Sequence, residues 1–385
     1  MKSVYFVVKH TVPQEHPNGV RVANLGLIFK SLGYDVHLLG FDLKPTSMQT
    51  YKDMKCTVWE MRGGSGFFSA RKRDREQLAL LKEYILQNGK PTIVVSGLYD
   101  CDMQRFLMSY CKKNKIMMVE TICEWFDRNN FVGAKGFVKF LIDRYSLYIQ
   151  LPKVKNFIAI SSLHASYYRE KGCNTVVIPT LVDKEDYRES VRLTSEQAEH
   201  LKIAYAGSPA RKDYVVNAIL ALPLLSDEER SRLQLHFYGP DTEQLKTLGL
   251  SEEFLNTYRD NIVCHGRIPY AEVKSKIADA DFTVLLRPNK RYANAGFPTK
   301  VGESMACGTP VIANITSDLG KYILDGKTGI VCRDETPEAC ADGFRRALAM
   351  TREEHAAMRA EALAMANASF DYRVYAEALN SFLNR

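Results

Sequence analysis

The chain has 385 residues, of which 46% are hydrophobic and 25% charged, with a net charge of +7. That length is too great for one ordinary core and suits two domains of roughly 150–200 residues, and the composition reads as soluble and globular. No run approaches the roughly 18 uninterrupted apolar residues of a membrane-spanning helix, and the first apolar run, Val4 to Val8, meets Lys9 and His10 at once, so it reads as a buried strand rather than a secretory leader.

The nine cysteines are odd in number and form no Cys-x-x-Cys pair, and the eight histidines show no His-x-x-x-His spacing. Reduced thiols in a cytosol and no structural zinc site are the expectation. Basic residues outnumber acidic ones by 26 to 16 over residues 1–183 and trail them by 26 to 29 over 184–385. A basic half suits an anionic partner (phosphate, a membrane surface or nucleic acid) or is simply a solvated, lysine-rich surface.

Along the chain, residues 4–8 read as a strand, 20–32 as a helix stopped near Gly33, and 36–39 as the next strand. Helical spacing returns over 74–87, with Gly89 beyond it. A short apolar strand over 92–95 opens on Ser96-Gly97, and a helix over 100–113 takes Asp100 as its cap. Strands follow over 116–119, 157–160 and 176–178. The pattern then restarts. A strand over 202–206 runs into Gly207-Ser208-Pro209 and is followed by a helix over 214–225. Strands over 235–238, 262–265, 282–286, 311–313 and 329–331 alternate with helices over 271–277 and 300–306. An alanine-rich helical region fills 337–366, and 370–383 has apolar residues at helical spacing. Strands separated by helices predict parallel sheets covered on both faces, so the expected fold is α/β with two doubly wound domains in series. The polar stretch 184–200 is the junction, which divides the chain into 1–183, 184–367 and a terminal helix over 368–385.

The densest chemical signal begins at Arg287-Pro288-Asn289. It continues from Gly296-Phe297-Pro298-Thr299-Lys300-Val301-Gly302-Glu303 into Ser304-Met305-Ala306-Cys307-Gly308-Thr309-Pro310-Val311-Ile312. Physically this is a strand, a glycine-containing loop, a helix, a Gly-Thr-Pro turn and a strand. A helix N-terminus near Pro298 or Thr299 offers free amide groups and a favourable dipole to an anion such as a diphosphate, and Lys300 adds a point charge. Glu303 lies one turn further on the same face, where it can accept two hydroxyl hydrogen bonds from a ribose. The bland alternative is a capped helix with a surface Lys–Glu pair.

The run Glu-Ser-Met-Ala-Cys-Gly-Thr-Pro-Val-Ile resembles the donor-site signature of glycosyltransferase family four, and the flanking segments resemble that family in order over nearly the whole chain. The resemblance implies a GT-B fold, two Rossmann-like domains facing a cleft, with a nucleotide-sugar on the C-terminal domain, the acceptor on the N-terminal one, and a last helix that crosses back to the first. It implies retention of anomeric configuration without a protein nucleophile, and no metal or other cofactor is expected. Of the family's two glutamates, Glu303 matches the second, which contacts the ribose. The first falls on Ala295, so the carboxylate that meets the donor sugar is missing. The sequence is similar to a subgroup with Phe-Pro-Thr-Lys-x-x-Glu here, associated with bacterial surface polysaccharide clusters. Asn294, Thr299 and Arg287 are the candidates to replace the lost contact.

The resemblance also assigns a basic pair in the loop Gly207-Ser208-Pro209-Ala210-Arg211-Lys212-Asp213 to the donor diphosphate. Arg211 and Lys212 would neutralise charge on the leaving group, or are two exposed residues of a turn. Asn18-Gly19-Val20-Arg21 resembles the family's glycine loop, expected between the first strand and the first helix, where a glycine allows close backbone approach. In Glu120 to Asp127, after a parallel strand, Cys123 or Glu124 stands where relatives have a histidine. Glu124 would orient a donor hydroxyl or the acceptor, or is a helix-start carboxylate. His10 is a similar candidate. Asp100-Cys101-Asp102 fits a three-residue metal pattern of another glycosyltransferase fold, but both aspartates also suit a helix N-terminus.

Arg62, Phe67, Phe68, Arg71, Lys72, Arg73 and Arg75 form a basic and aromatic stretch. A second, 131–151, mixes Lys135, Lys139 and Arg144 with large apolar residues. They suit docking on an anionic membrane face, or a loop and a buried helix. The expected activity is transfer from a nucleoside-diphosphate sugar to a saccharide or lipid-linked hydroxyl acceptor, with no nucleic-acid partner. The expected place is the cytoplasm, with a peripheral seat on the inner face of the membrane as an option. The alternatives are a sugar-nucleotide 2-epimerase of the same fold and a degenerate donor-binding subunit.

Overall fold

The computed structural model describes residues 2–13, 17–42, 48–61, 67–97, 101–128, 131–193, 200–209 and 212–385. The chain divides into two compact units, one of Met1–Leu181 with Tyr372–Arg385 and one of Val182–Asp371.

The first unit is built on eight strands: β1 (Ser3–Val8), β2 (Asp35–Asp42), β3 (Thr50–Tyr51), β4 (Met54–Glu60), β5 (Ile93–Gly97), β6 (Met117–Ile122), β7 (Asn156–Ala159) and β8 (Asn174–Val177). Their order is β3-β4-β2-β1-β5-β6-β7-β8, parallel throughout except for the β3–β4 hairpin. The second unit has β9 (Leu201–Ala206), β10 (Leu233–Tyr238), β11 (Ile262–Gly266), β12 (Phe282–Leu285), β13 (Val311–Asn314) and β14 (Gly329–Cys332). They lie in the order β11-β10-β9-β12-β13-β14, all parallel. Counted within the unit this is 3-2-1-4-5-6, the Rossmann order, and the same core order runs through the first sheet. Such a sheet has its ligand crevice where the winding reverses, outside the carboxyl ends of strands one and four. In the second unit those are β9 and β12.

Central strands are buried on both faces and therefore read as nearly continuous apolar runs, β1 and β12 among them. The last helix, Ala376–Leu383, contributes Leu379 and Phe382 to the core of the first unit, and the Phe382 carbonyl accepts from Asn174 Nδ2 at 3.0 Å.

Several elements differ from the sequence reading. The helix expected over 20–32 begins at Pro17 and ends at Ser31, which places Gly19 buried in its first turn rather than in a loop. Proline is favoured at a first helical position because its missing N–H has no partner there anyway. The helix expected over 214–225 is only Val215–Ile219, followed by a 3-10 turn at Leu222–Leu224, because Pro223 has no N–H to donate to the Ile219 carbonyl and its ring crowds that group. The alanine-rich region is two helices, Pro337–Leu348 and Arg352–Ser369, and the second opens with a Thr351–Glu354 capping box.

Candidate functional site

In the second unit, β9 is followed by Gly207 and β10 by Gly239, both with φ near +135°. The Gly207 amide donates to the Tyr238 carbonyl at 2.7 Å, and the Gly239 amide to the Gly266 carbonyl at 2.8 Å. A Cβ on Gly239 would stand 2.2 Å from the Gly207 carbonyl oxygen, and one on Gly207 would stand 2.7 Å from Lys300 Cε. A side chain at Gly239 would collide with backbone, and one at Gly207 would be strained by its positive φ and would displace Lys300. The two turns are pressed together at the carboxyl edge of the sheet, and Lys300 is held close against the first of them.

Lys300 lies in the first turn of helix Thr299–Ala306, whose cap residue Pro298 supplies no side-chain hydrogen bond. This is the anion-favouring end of the helix. Lys300 Nζ donates to Asp213 Oδ2 at 2.8 Å, and Arg287 Nε lies 3.6 Å from Asp213 Oδ1. The Tyr205 hydroxyl reaches Asp213 Oδ2 at 3.0 Å and the Ser208 carbonyl oxygen at 3.2 Å. Burial pushes the Asp213 carboxyl up, but the adjacent Lys300 ammonium and then Arg287 outweigh it and hold the group below its usual range. Burial, with Asp213 beside it, keeps the Tyr205 phenol protonated. Asp213 is thus a fixed carboxylate that aims Lys300. An ammonium has three donor hydrogens, so one spent on Asp213 leaves two for a ligand anion.

Glu303 stands one turn further along the same helix, half-buried, with no hydrogen bond or ion pair among the described residues. Burial raises its pKa, and the charges of Lys300 and Lys274 offset this only in part. Lys274 is itself fixed, with Nζ donating to the Asp186 carbonyl at 2.9 Å and lying 4.3 Å from the centre of the Tyr187 ring. A partly buried carboxylate lacking hydrogen-bond donors is primed to accept them from a ligand's hydroxyl groups.

The helix carrying Lys300 and Glu303 is locked from behind. Ser304 Oγ bonds Thr283 Oγ1 on β12 at 2.6 Å and the Thr309 carbonyl at 2.8 Å. Arg359, fully buried, donates to the carbonyls of Arg192, Ala278 and Ala280 at 2.7–2.9 Å and so closes the neighbouring helix end. Phe297 is buried against Tyr322 and Phe370, which fixes the loop before Thr299.

The other residues singled out from the sequence distribute as follows. Arg287 is buried, donates from Nη1 to the Ala293 carbonyl at 3.3 Å, and stands at the carboxyl end of β12. Asn294 donates to Asn289 Oδ1 at 2.7 Å and accepts from the Ser317 amide at 2.7 Å, so its amide shapes the loop. Ala295, where the first glutamate of the family pattern would fall, is fully buried, and Gly296 and Pro298 are also buried. Ser208 is exposed in the glycine turn and Lys212 is half-buried beside Asp213. Arg211 lies outside the described residues. In the first unit, Gly19 and Glu124 follow β1 and β6, and Cys123 Sγ donates to Asn18 Oδ1 at 3.6 Å, which joins the two segments. Asp100 and Arg62 lie outside the described residues, as do the side chains of Phe67, Phe68, Arg71 and Lys72. Sequence reasoning missed the roles of Asp213, Tyr205, Lys274 and Gly239. Only Gly239 carried a signal, as a glycine closing a strand.

Residues 186–365 match the family model for glycosyl transferases group 1. An uncharacterized glycosyltransferase of Methanocaldococcus jannaschii is 22% identical over 200 residues, which cover 50% of this chain and 49% of that protein. The chain therefore spans about half the length of this curated relative. Sucrose-phosphate synthase from Thermosynechococcus elongatus superposes with a TM-score of 0.74 at 14% identity, over 100% of this chain and 98% of its own. HepE of Anabaena, in complex with UDP-glucose, does so with a TM-score of 0.69 at 13% identity over 100% of both chains.

Fold and matched segment together define the class: an α/β protein of the GT-B fold, with two Rossmann-like units, whose second unit contains the segment similar to the glycosyl transferases group 1 model. The Lys300–Asp213 pair, Glu303 and both glycine turns all fall inside the matched residues.

Proposed function

We propose that this protein is a glycosyltransferase that takes a sugar from a nucleoside-diphosphate sugar and passes it to a hydroxyl acceptor. The observation that carries this reading is the pairing of Lys300, aimed by Asp213 across the Gly207 turn, with the half-buried Glu303 one turn away. A cation and a helix N-terminus suit a diphosphate, and a carboxylate at that distance suits the hydroxyls of the attached ribose. HepE, a structure of the same fold, was solved with UDP-glucose, and the group 1 match supports glycosyl transfer.

In the reaction, the bond from the sugar's anomeric carbon to the donor phosphate breaks and a bond to the acceptor oxygen forms. The acceptor gives up a proton and the nucleoside diphosphate leaves. Lys300, Lys212, Arg211 and the amides near Thr299 stabilise the charge that develops on the leaving diphosphate. Gly207, Ser208 and Gly19 allow close approach of backbone to ligand, and Glu124 orients a donor or acceptor hydroxyl. Retention of configuration and membership of family four are part of this reading, as is a role in bacterial surface polysaccharide or glycolipid synthesis without a metal. Family four and retention rest on the resemblance of the run Glu-Ser-Met-Ala-Cys-Gly-Thr-Pro-Val-Ile, and the polysaccharide role on that of Phe-Pro-Thr-Lys-x-x-Glu.

The buried Ala295 favours a second reading, a donor-binding subunit without turnover, because no carboxylate faces the sugar from that position. One experiment separates the readings. Calorimetry with a panel of nucleotide-sugars should find a donor that binds, and Glu303→Ala should weaken it at least about tenfold, since a hydrogen bond to a charged group contributes about 1.5–3 kcal/mol. Unchanged affinity would remove the ribose role. Binding without release of nucleoside diphosphate to any hydroxyl acceptor would favour the second reading.

A further inference from the structure

Sixteen large hydrophobic side chains are exposed among the described residues, and eight of them fall between residues 132 and 149, at 36–77% exposure. Single exposed apolar residues are ordinary, whereas a contiguous patch marks a surface that something covers. These eight lie on and beside helix Gly133–Tyr145 of the first unit and the π-helical turn Ser146–Gln150 that extends it.

The helix is inverted with respect to a normal surface helix. Its inner face carries small or polar residues and a single large apolar one, the half-buried Phe140, whose ring lies 5.8 Å from that of Phe131. Gly136 is buried so tightly that a Cβ would meet the Phe131 backbone at 2.7 Å, and Asp143 is tucked in against Arg144 at 2.8 Å. Its outer face carries Phe137, Leu141 and Tyr145 along one line and Val138 and Ile142 along the next, spaced by four residues as a helix requires. Lys135 and Lys139, also four apart, edge that face, are exposed, and pair with no described residue. The polypeptide from 128 to 155 has six basic residues and one acidic residue, Asp143, which Arg144 already neutralises. The guanidinium of Arg128 lies over Phe137 at 5.3 Å and that of Arg144 over Phe140 at 5.0 Å, so cations and rings share one surface.

We propose that this face docks on an anionic lipid surface, with the apolar lines entering the interface and Lys135 and Lys139 meeting the headgroups. Charge complementarity selects this occupant. A soluble protein partner would need to cover the apolar lines and supply acidic groups to the lysine edge, whereas an anionic bilayer offers both environments along one plane. None of the described helices is long and apolar enough to cross a membrane, so the contact is one of lying on the surface. The proposal does not depend on the sugar chemistry, although it deepens that reading by favouring an acceptor carried on a lipid.

The test is co-sedimentation of the full chain with phosphatidylcholine vesicles, with and without phosphatidylglycerol, in the absence of any donor or acceptor. The protein should sediment with the anionic vesicles and be released by salt, because exposed charges are screened. The double variants Phe137→Ser/Leu141→Ser and Lys135→Glu/Lys139→Glu should each weaken binding about tenfold or more, while Leu86→Ser, at an isolated exposed leucine elsewhere, should leave it unchanged. Failure to bind, or equal binding to neutral vesicles, overturns the proposal. So does a dimer in sedimentation velocity that Phe137→Ser/Leu141→Ser converts to monomer, since a second copy would then be what covers the face. Absence of donor binding in calorimetry would count against the transferase reading and leave this result standing.

Discussion

At Glu303 the fold places a carboxylate in half-buried surroundings that disfavour its charge. Burial raises its pKa above the usual 4.5. The native state therefore binds a proton more readily than the unfolded chain does, and stability falls as pH climbs from about 4.5 through the raised native value. At neutral pH the charge is a burden that hydroxyl donors from a ligand would relieve. The neutral isostere Glu303→Gln should then give a higher melting temperature than the wild type at neutral pH in the absence of ligand, and a weaker donor complex. The difference in melting temperature should shrink as pH is lowered toward 4.5, measured by thermal melts across a pH series. A variant that melts lower at neutral pH would show that the carboxylate stabilises the empty fold instead. Asp213 has the opposite balance. Lys300 and Arg287 hold it ionised, so its charge is fully matched before any ligand arrives.

Among elements, the two strand-end turns are coupled by contact rather than by sequence. Gly239 lies against the Gly207 carbonyl, and its φ of +135° is one that residues with a Cβ rarely adopt. Gly239→Ala should cost about 1–3 kcal/mol from backbone conformation alone, and it must also displace the Gly207 turn. We expect a lower midpoint in urea together with a loss of donor affinity, although Gly239 has no side chain to offer a ligand. Normal affinity in a destabilised Gly239→Ala protein would show that the Gly207 turn does not shape the site. Helix Gly133–Tyr145 makes a related point. Apolar residues on several of its faces left the sequence reading open between a buried helix and a membrane contact, and only packing shows which face is turned outward.

For the whole molecule, the division into Met1–Leu181 with Tyr372–Arg385 and Val182–Asp371 separates two stability questions. Leu379 is fully buried in the core of the first unit, so Leu379→Ala should cost about 2–5 kcal/mol there. A nucleotide-sugar at 100 times its dissociation constant should instead stabilise the second unit by about 2.7 kcal/mol. Differential scanning calorimetry should resolve two transitions, one lowered by Leu379→Ala and the other raised by ligand. A single transition that responds to both would show that the units unfold as one.

The sequence by itself determined the alternation of strands and helices, and with it the α/β class with two parallel sheets. These are local properties: central strands are apolar because both faces are covered, and glycine and proline end elements within a few residues. It also displayed the segment from Arg287 to Pro310, since a strand, loop, helix N-terminus and turn are all read from neighbours in the chain. It showed less where elements are short. Two-residue β3 and the six-residue helices Thr242–Thr247 and Glu252–Thr257 went unread, because a few residues give too little periodicity to count, and β4 and the helix Ser162–Glu170 went unread because polar residues interrupt their apolar patterns. Only the tertiary structure decided what those residues meet. It brought Asp213 to Lys300 across 87 positions, Gly239 onto Gly207, and Arg359 to the carbonyls of Ala278 and Ala280. Periodicity reports which face of an element is apolar. It carries no information on which distant side chain will be brought within 3 Å, and that distance determines whether a lysine is a solvated charge or an aimed one.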